Sequence, residues 1–255
     1  MLGGLKDPAW SSREVSERAY CLLAPNAGDL TLDGTNTWLL REPGTDEVVV
    51  IDPGPHDEGH LRAVVAHVAD AGARVALTLL THGHSDHAAG AGRFAELTGA
   101  PTRALADLTD GELLRTGALE LLIVPTPGHT SDSISLLLPA ENALLTGDTV
   151  LGRGTAFIAH PDGRLGAYLE SLERIEAMTA AGVVTRLLPG HGPVLDDAAG
   201  VVRSYLDHRA GRLDEVRAAL VAGARDVESI VERVYALVPR SLLSLIHISE
   251  PTRPY

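Results

Sequence analysis

The segment Thr81-His82-Gly83-His84-Ser85-Asp86-His87 sets three imidazoles and a carboxylate within six positions, directly after the apolar run Val75 to Leu80. Neutral imidazole and carboxylate are the donors that divalent cations of intermediate softness take. The chemistry on offer is therefore metal binding and, where water reaches the cation, metal-assisted hydrolysis. One histidine in isolation is usually an ordinary surface or core residue, but four ligand-type side chains at one strand end are not explained that way. Further donors lie in comparable places: His129 closes Pro125-Thr126-Pro127-Gly128-His129, Asp148 sits in Thr146-Gly147-Asp148-Thr149, and His191 sits in Pro189-Gly190-His191-Gly192. Each follows a strand-like run beside Gly or Pro, so each can reach a common edge of the sheets. Together these residues make a site for two cations in which one carboxylate serves both.

Two divalent cations about 3.5–4 Å apart lower the pKa of a shared water from about 15.7 toward roughly 7, so a bridging hydroxide is the expected nucleophile on an ester-type substrate. Asp86 is both a ligand and a candidate catalytic residue, placed to orient that water and relay its proton. Asp52, in Ile51-Asp52-Pro53-Gly54, has two readings. Its carboxylate either holds the His82 loop from behind the ligands or caps the next element. Thr81 and Thr130 flank ligands and could do similar positioning work. His160 and Arg153 lie where a substrate could pass, whereas His56, His60, His67 and His208 are expected to face water. Trp10, Trp38 and the few tyrosines are too scattered for a base-stacking platform.

Positioning these donors requires alternating strands and helices. Tyr20 to Ala24, Thr35 to Leu40 and Glu47 to Ile51 read as strands, the last ending at Asp52-Pro53-Gly54-Pro55. Leu61, Val64, Val65 and Val68 recur at helical spacing, with Asp57 as a cap and Gly72 as a stop. Val75 to Leu80 is a strand buried on both faces. Ala88 to Leu97 reads as a short helix, and Pro101 to Leu105, Ala118 to Val124, Ser133 to Leu138 and Asn142 to Thr146 as strands. Arg164 to Ala180 is a helix with Leu165, Tyr168, Leu169, Leu172, Ile175 and Met178 on one face; Val183 to Leu188 is again a buried strand. Helices follow over Ala198 to Ala222 and Val227 to Val238. Two halves of several strands each, with helices outside, predict two packed sheets between helical layers.

Composition narrows the function classes. With 255 residues, 45% of them apolar and 22% charged, the chain suits an ordinary globular protein with a sizeable core. Its formal net charge of −13 weighs against duplex DNA and other long polyanions. A single cysteine, Cys21, forms no internal disulfide and suits a reducing, cytoplasmic setting. Neither a basic leader with an apolar stretch nor a bilayer-length apolar run is visible.

The His-x-His-x-Asp-His signature at 82–87 and the later donors His129, Asp148 and His191, in that order, resemble the metallo-β-lactamase-fold hydrolases over roughly residues 19–195. The resemblance implies an α/β fold, a four-layer αββα sandwich, with two Zn2+ ions as cofactors; iron and manganese suit the same donors. It assigns His82, His84 and His129 to the first metal and Asp86, His87 and His191 to the second, with Asp148 bridging. The best-known class B β-lactamases carry a cysteine where this chain has Asp148, so antibiotic hydrolysis is not expected. Hydroxyacylglutathione hydrolases share the ligands, but their characteristic segment is not visible in Leu151 to Ile158. That segment, with Pro161-Asp162-Gly163-Arg164-Leu165-Gly166-Ala167-Tyr168-Leu169 and Gly34-Thr35-Asn36-Thr37-Trp38, is similar instead to the β-lactamase-like protein 2 group. That group implies a winged-helix-like C-terminal module, and its animal representative is a single-strand-specific endoribonuclease.

The expected organisation is a metal-hydrolase domain over 1–208, part of a helical module over 209–241, and a non-native tail over 242–255. Residues 243–253, Leu-Ser-Leu-Ile-His-Ile-Ser-Glu-Pro-Thr-Arg, resemble the conceptual translation of a transposase sequencing adapter, so the natural chain is expected to be longer. The expected function is a binuclear zinc hydrolase acting on a short single-stranded RNA or on a small ester or thioester, the latter in the manner of hydroxyacylglutathione hydrolase. The competing expectations are an iron-dependent redox enzyme, disfavoured in its diiron–flavin form by the lack of a flavin-binding domain, and a non-catalytic scaffold, disfavoured by the complete donor set.

Overall fold

Short strands buried on both faces and helices with one apolar side can bury their surfaces only by stacking in layers. The computed structural model describes residues 10–158 and 161–235, so the expected tail at 242–255 and His160 lie outside the described residues. One sheet contains β1 (Arg13–Glu14), β2 (Ala19–Leu23), β3 (Asn36–Leu40), β4 (Glu47–Ile51), β5 (Arg74–Leu79) and β6 (Thr102–Arg103), adjacent in chain order. The second contains β7 (Leu113–Thr116), β8 (Leu119–Pro125), β9 (Ile134–Leu138), β10 (Ala143–Gly147) and β11 (Arg186–Pro189), in the order β11-β10-β9-β8-β7.

Both sheets are mixed. In the first, β4 pairs with β5 and β5 with β6 in parallel, and in the second β10 pairs with β11 in parallel; the other pairings are antiparallel. Parallel neighbours need a crossover. It is supplied by α1 (Glu58–Asp70) between β4 and β5, by α2 (Ser85–Ala88) and α3 (Ala91–Thr98) between β5 and β6, and by α4 (Leu165–Ala180) between β10 and β11. Two more helices, α5 (Ala198–Val221) and α6 (Val227–Val234), follow. No helix among the described residues is long and apolar enough to cross a membrane.

Successive strand residues point to opposite faces, which sorts the apolar side chains into three cores. Trp38, Leu40, Val49, Ile51 and Leu79 of the first sheet meet Leu121, Ile123, Ile134, Leu136 and Leu145 of the second between the sheets. Leu39, Val48 and Val50 pack outward against Leu61, Val64 and Val68 of α1 and Phe94 of α3. Val124, Leu137, Leu144 and Leu187 pack outward against Tyr168, Leu172 and Ile175 of α4 and Val202 and Tyr205 of α5. The result is the αββα sandwich.

Several boundaries differ from the sequence expectation. The helix expected over Ala88 to Leu97 is two helices, because Gly90 N–H leaves the helical ladder to bond the Gly54 carbonyl at 3.0 Å. The strand expected from Val183 begins at Arg186, since the amides of Thr185 and Arg186 both turn to the Asn142 carbonyl. The two-residue β1 and the short β7, whose outward residues are exposed, were not anticipated. The carboxyl ends of β5, β8, β10 and β11 lead into the segments that carry the candidate ligands, and that of β4 leads into Asp52.

Candidate metal centre

The turn after β5 and the first residues of α2 carry His82, His84, Asp86 and His87; the loops after β8, β10 and β11 carry His129, Asp148 and His191. All seven converge. The His84 Nδ1 atom lies 3.0 Å from His82 Nε2 and 3.0 Å from His129 Nε2. A second group has His87 Nε2 3.1 Å from His191 Nε2, and Asp86 Oδ2 3.1 Å from His191 Nε2 and 3.6 Å from His87 Nε2. Asp148 faces both groups, with Oδ1 3.4 Å from His87 Nε2, and Oδ2 3.4 Å from His191 Nε2 and 3.7 Å from His129 Nε2. The sets His82–His84–His129, His82–His87–Asp148 and Asp86–His87–His191 each bring their donor atoms within 4.8 Å of one another.

The rings are aimed from behind. His129 Nδ1 bonds the Phe157 carbonyl, and His191 Nδ1 bonds the Gly34 carbonyl at 3.1 Å. A carbonyl only accepts, so each Nδ1 carries a proton and each Nε2 points to the centre, which is how ligating histidines are usually oriented. Asp52 bonds the turn that carries the first ligands. Its Oδ1 accepts the Thr81 N–H at 2.7 Å, and its Oδ2 accepts the Thr81 hydroxyl at 2.6 Å and His87 Nδ1–H at 2.8 Å. Capping of α1 falls to Asp57, which accepts the His60 N–H. Thr130 instead pairs its hydroxyl with Ser133.

The donors also have the electrostatics of a cation site. Burial, helped by the charge on His87, pushes His82 well below the usual histidine range, and burial lowers His129, so both keep free lone pairs. Burial acts against protonation of His87 and His191 as well, but the carboxylates win. Asp148 and Asp52 hold His87 well above its ordinary value, and Asp148 with Asp86 raises His191 to about 9. Burial would raise Asp86, yet the hydrogen bond from His191 and the nearby imidazoles hold it at about 2. Three carboxylates thus demand positive charge at one place. Asp148 Oδ1 is buried without a hydrogen-bond partner, an arrangement that is costly unless something else satisfies the oxygen. Gly190 leaves the space clear, because a Cβ there would come within 2.6 Å of Asp148 Oδ1 and 2.8 Å of His87 Cε1. The residues fit divalent metal.

Above the donors opens a cleft of about 250 Å3, walled by Asp29, Leu30, Leu32, Leu151, Arg153 and Phe157. Leu30 is 55% exposed at its rim. Arg153, the one arginine among the described residues of the wall, is paired with Asp33 at 2.5 Å. One expectation is corrected here. His60 does not face water: it is 4% exposed, with Nε2 2.9 Å from the Thr37 hydroxyl. The signal was available, because His60, Val64 and Val68 recur every four residues and lie on one face of a helix.

A family model described as the metallo-β-lactamase superfamily matches residues 30–110 and 103–191. A β-lactamase-like protein 2 homolog of Caenorhabditis elegans is 30% identical over 218 residues, covering 80% of this chain and 71% of that protein. An atrochrysone carboxyl ACP thioesterase of Aspergillus fumigatus is 31% identical over 245 residues, covering 91% of this chain and 74% of that protein. Among solved structures, a metallo-β-lactamase family protein of Thermus thermophilus superposes with a TM-score of 0.71 at 22% identity, covering 87% of this chain and 89% of its own, a likeness of fold.

Proposed function

The chain belongs to the metallo-β-lactamase superfamily, and on that footing we propose that it is a metal-dependent hydrolase of acyl thioesters that works with two zinc ions. The observation that carries the reading is the apolar cleft of Leu30, Leu32, Leu151 and Phe157 directly over the converging donors. His82, His84 and His129 would hold one cation and Asp86, His87 and His191 the other, with Asp148 between them. When bound, such cations polarise a carbonyl and make water acidic enough to react at neutral pH.

The chain's own residues supply the rest. Asp86, partly exposed in the cleft wall, accepts a hydrogen bond from the attacking water and takes up its proton. The leucines and Phe157 exclude bulk water and hold an apolar acyl group. A thiol, with a pKa near 8.5, departs as thiolate without a strong acid to protonate it. A phosphodiester oxygen leaves as a far more basic alkoxide and depends on such an acid. An RNA backbone, which needs that proton and brings a charge at every phosphate, would meet one guanidinium already paired with Asp33. The similarity to a protein named as a thioesterase, over 91% of the chain, supports the same order of preference.

The test is a substrate panel on the zinc-loaded protein. Acyl-coenzyme A and acyl-glutathione thioesters should release thiol at a rate abolished by chelation and restored by zinc, while a single-stranded RNA oligonucleotide stays intact. Cleaved RNA beside untouched thioesters would replace this reading with a phosphodiesterase. Iron in the purified protein, with oxygen consumption on a thiol substrate, would replace it with a redox enzyme.

A further inference from the structure

Strand β3 sits in the middle of the first sheet and contributes no candidate ligand, yet it is bonded to the turn that carries His191 and to Asp52 behind His87. Its odd and even residues face opposite ways. On the face toward the other sheet, the Asn36 amide is fully buried and satisfied on every side. It donates to the Pro189 carbonyl at 2.9 Å and the Gly192 carbonyl at 2.8 Å, and its oxygen accepts Trp10 Nε1–H at 2.7 Å and the Cys21 thiol at 3.3 Å. The Asn36 N–H adds a bond to the Gly190 carbonyl at 2.8 Å, and Thr35 bridges to His191. The turn that carries His191 is thereby held at three of its residues by Asn36, with Trp38 Nε1–H adding a bond to the Pro189 carbonyl at 3.0 Å.

On the opposite face, the Thr37 hydroxyl donates to the Asp52 carbonyl at 2.8 Å and lies 2.9 Å from His60 Nε2. A hydroxyl has one proton, so His60 must be the donor in the second contact. Asp52 is held with φ at +51°, a region that residues other than glycine enter at a cost. Thr37 bonds the carbonyl of that strained residue, and the Asp52 carboxylate bonds His87 Nδ1. Asp52 also accepts the Thr81 N–H and hydroxyl, and that hydroxyl lies 3.1 Å from His82 Nδ1. The second cation would therefore rest on both faces of β3, through His191 and His87, whereas the first, at His82, His84 and His129, would meet only the Asp52 side, through Thr81 and His82.

We propose that Asn36, Thr37 and His60 are positioning residues for the second cation: one face of β3 sets the His191 turn, and the other, backed by α1, sets Asp52 and through it His87, so that Asn36 acts on the second cation alone while Thr37 and His60 act on it more than on the first. This rests on the two-cation reading above.

The experiment is calorimetric titration of the full chain, stripped of metal, with Zn2+ alone. The wild type should show two binding events, and His191→Ala identifies the one that belongs to the second set. Thr37→Val, Asn36→Asp and His60→Phe each keep the side-chain shape and remove the donor. Each should weaken that event by about 10- to 100-fold, the usual cost of losing a partner behind a metal ligand; Asn36→Asp should leave the other unchanged, and Thr37→Val and His60→Phe should weaken it by a smaller factor. Thr37→Ser, which keeps the hydroxyl, should restore it. If one variant does not fold, the remaining ones carry the same expectation.

Unchanged affinity for the second zinc in folded variants overturns the proposal. So does equal weakening of both events with a lowered unfolding temperature of the zinc-free protein, which would mark a merely structural role. A wild type that binds fewer than two zinc ions overturns the two-cation reading itself, a result recognisable before any variant is made.

Discussion

At the scale of single residues, the candidate ligands differ in how much of the fold depends on them, and that separates chemistry from stability. His84 is the exposed member of its set, whereas His82 and His129 are buried. Substitutions at exposed positions usually change stability by no more than about 0.5 kcal/mol. His84→Ala should therefore unfold at the same temperature as the zinc-free wild type while losing zinc from the first set and at least about 100-fold in thioester hydrolysis. Retained turnover with normal zinc content would show that this imidazole is no ligand. Cys21 makes the opposite case, a reactive group made inert. Burial pushes its thiol up to about 12, and the S–H donates to the Asn36 amide oxygen. The sign follows from the raised value: the folded chain keeps this proton where the unfolded chain loses it, so the contribution to stability is full below about pH 9 and is lost as the pH rises toward 12. Each pH unit in that interval removes about 1.4 kcal/mol. Denaturant melts should show a steeper fall in stability from pH 9 to 11 for the wild type than for Cys21→Ala, and native protein at pH 8 should resist a thiol reagent that labels the unfolded chain at once. Prompt labelling of the native thiol would contradict the burial.

At the scale of elements, the loop between β2 and β3 decides what enters the cleft. Asn26 pins its base through the Thr35 N–H at 2.9 Å and the Thr35 hydroxyl at 2.9 Å, and Leu32 is held at φ +55°. Gly34 has to be glycine, since with φ at +134° a Cβ would come within 2.2 Å of the Ala24 carbonyl oxygen. What this turn presents is Leu30, more than half exposed beside the donors. Burying a leucine against an apolar ligand contributes about 1.5–3 kcal/mol. Leu30→Ser should therefore raise KM for long-chain acyl thioesters by about tenfold or more, with little change for acetyl thioesters and in unfolding temperature. Equal effects on both chain lengths would remove the acyl-binding role. The elements that carry donors were legible in the sequence because strand ends with Gly or Pro and a histidine are local patterns. Of the residues that aim those donors, Asp52 was legible as one of two readings, and Asn36 was not. Asn36 bonds carbonyls 153 and 156 residues further along the chain, and no window of sequence holds both partners. β7 was missed for a different reason: a short edge strand leaves too few apolar positions to establish a period of two.

At the scale of the whole molecule, the two sheets supply the donors jointly. His82, His84, Asp86 and His87 follow β5 of the first sheet, and His129, Asp148 and His191 follow β8, β10 and β11 of the second. Each proposed cation would therefore be held from both sheets, closing at one end a sandwich otherwise held by the core between them. Cations that bind the folded chain and not the unfolded one stabilise it by about 4 kcal/mol at a thousandfold excess over their dissociation constant. For a chain of this size each kcal/mol moves the unfolding temperature by about 2–4 °C. Zinc in that excess should raise the midpoint by about 10 °C over protein in chelator, and Asp148→Asn, which weakens the one side chain facing both groups, should lose most of that gain. Removing the cations should also free the ligand loops before the core opens, so amide exchange at His82 to Asp86 and at Gly190 to Gly192 should quicken in chelator while Leu40, Ile51 and Leu136 stay protected. An unfolding temperature and an exchange pattern indifferent to zinc would show that the sandwich closes without metal, and that these side chains converge for some other reason.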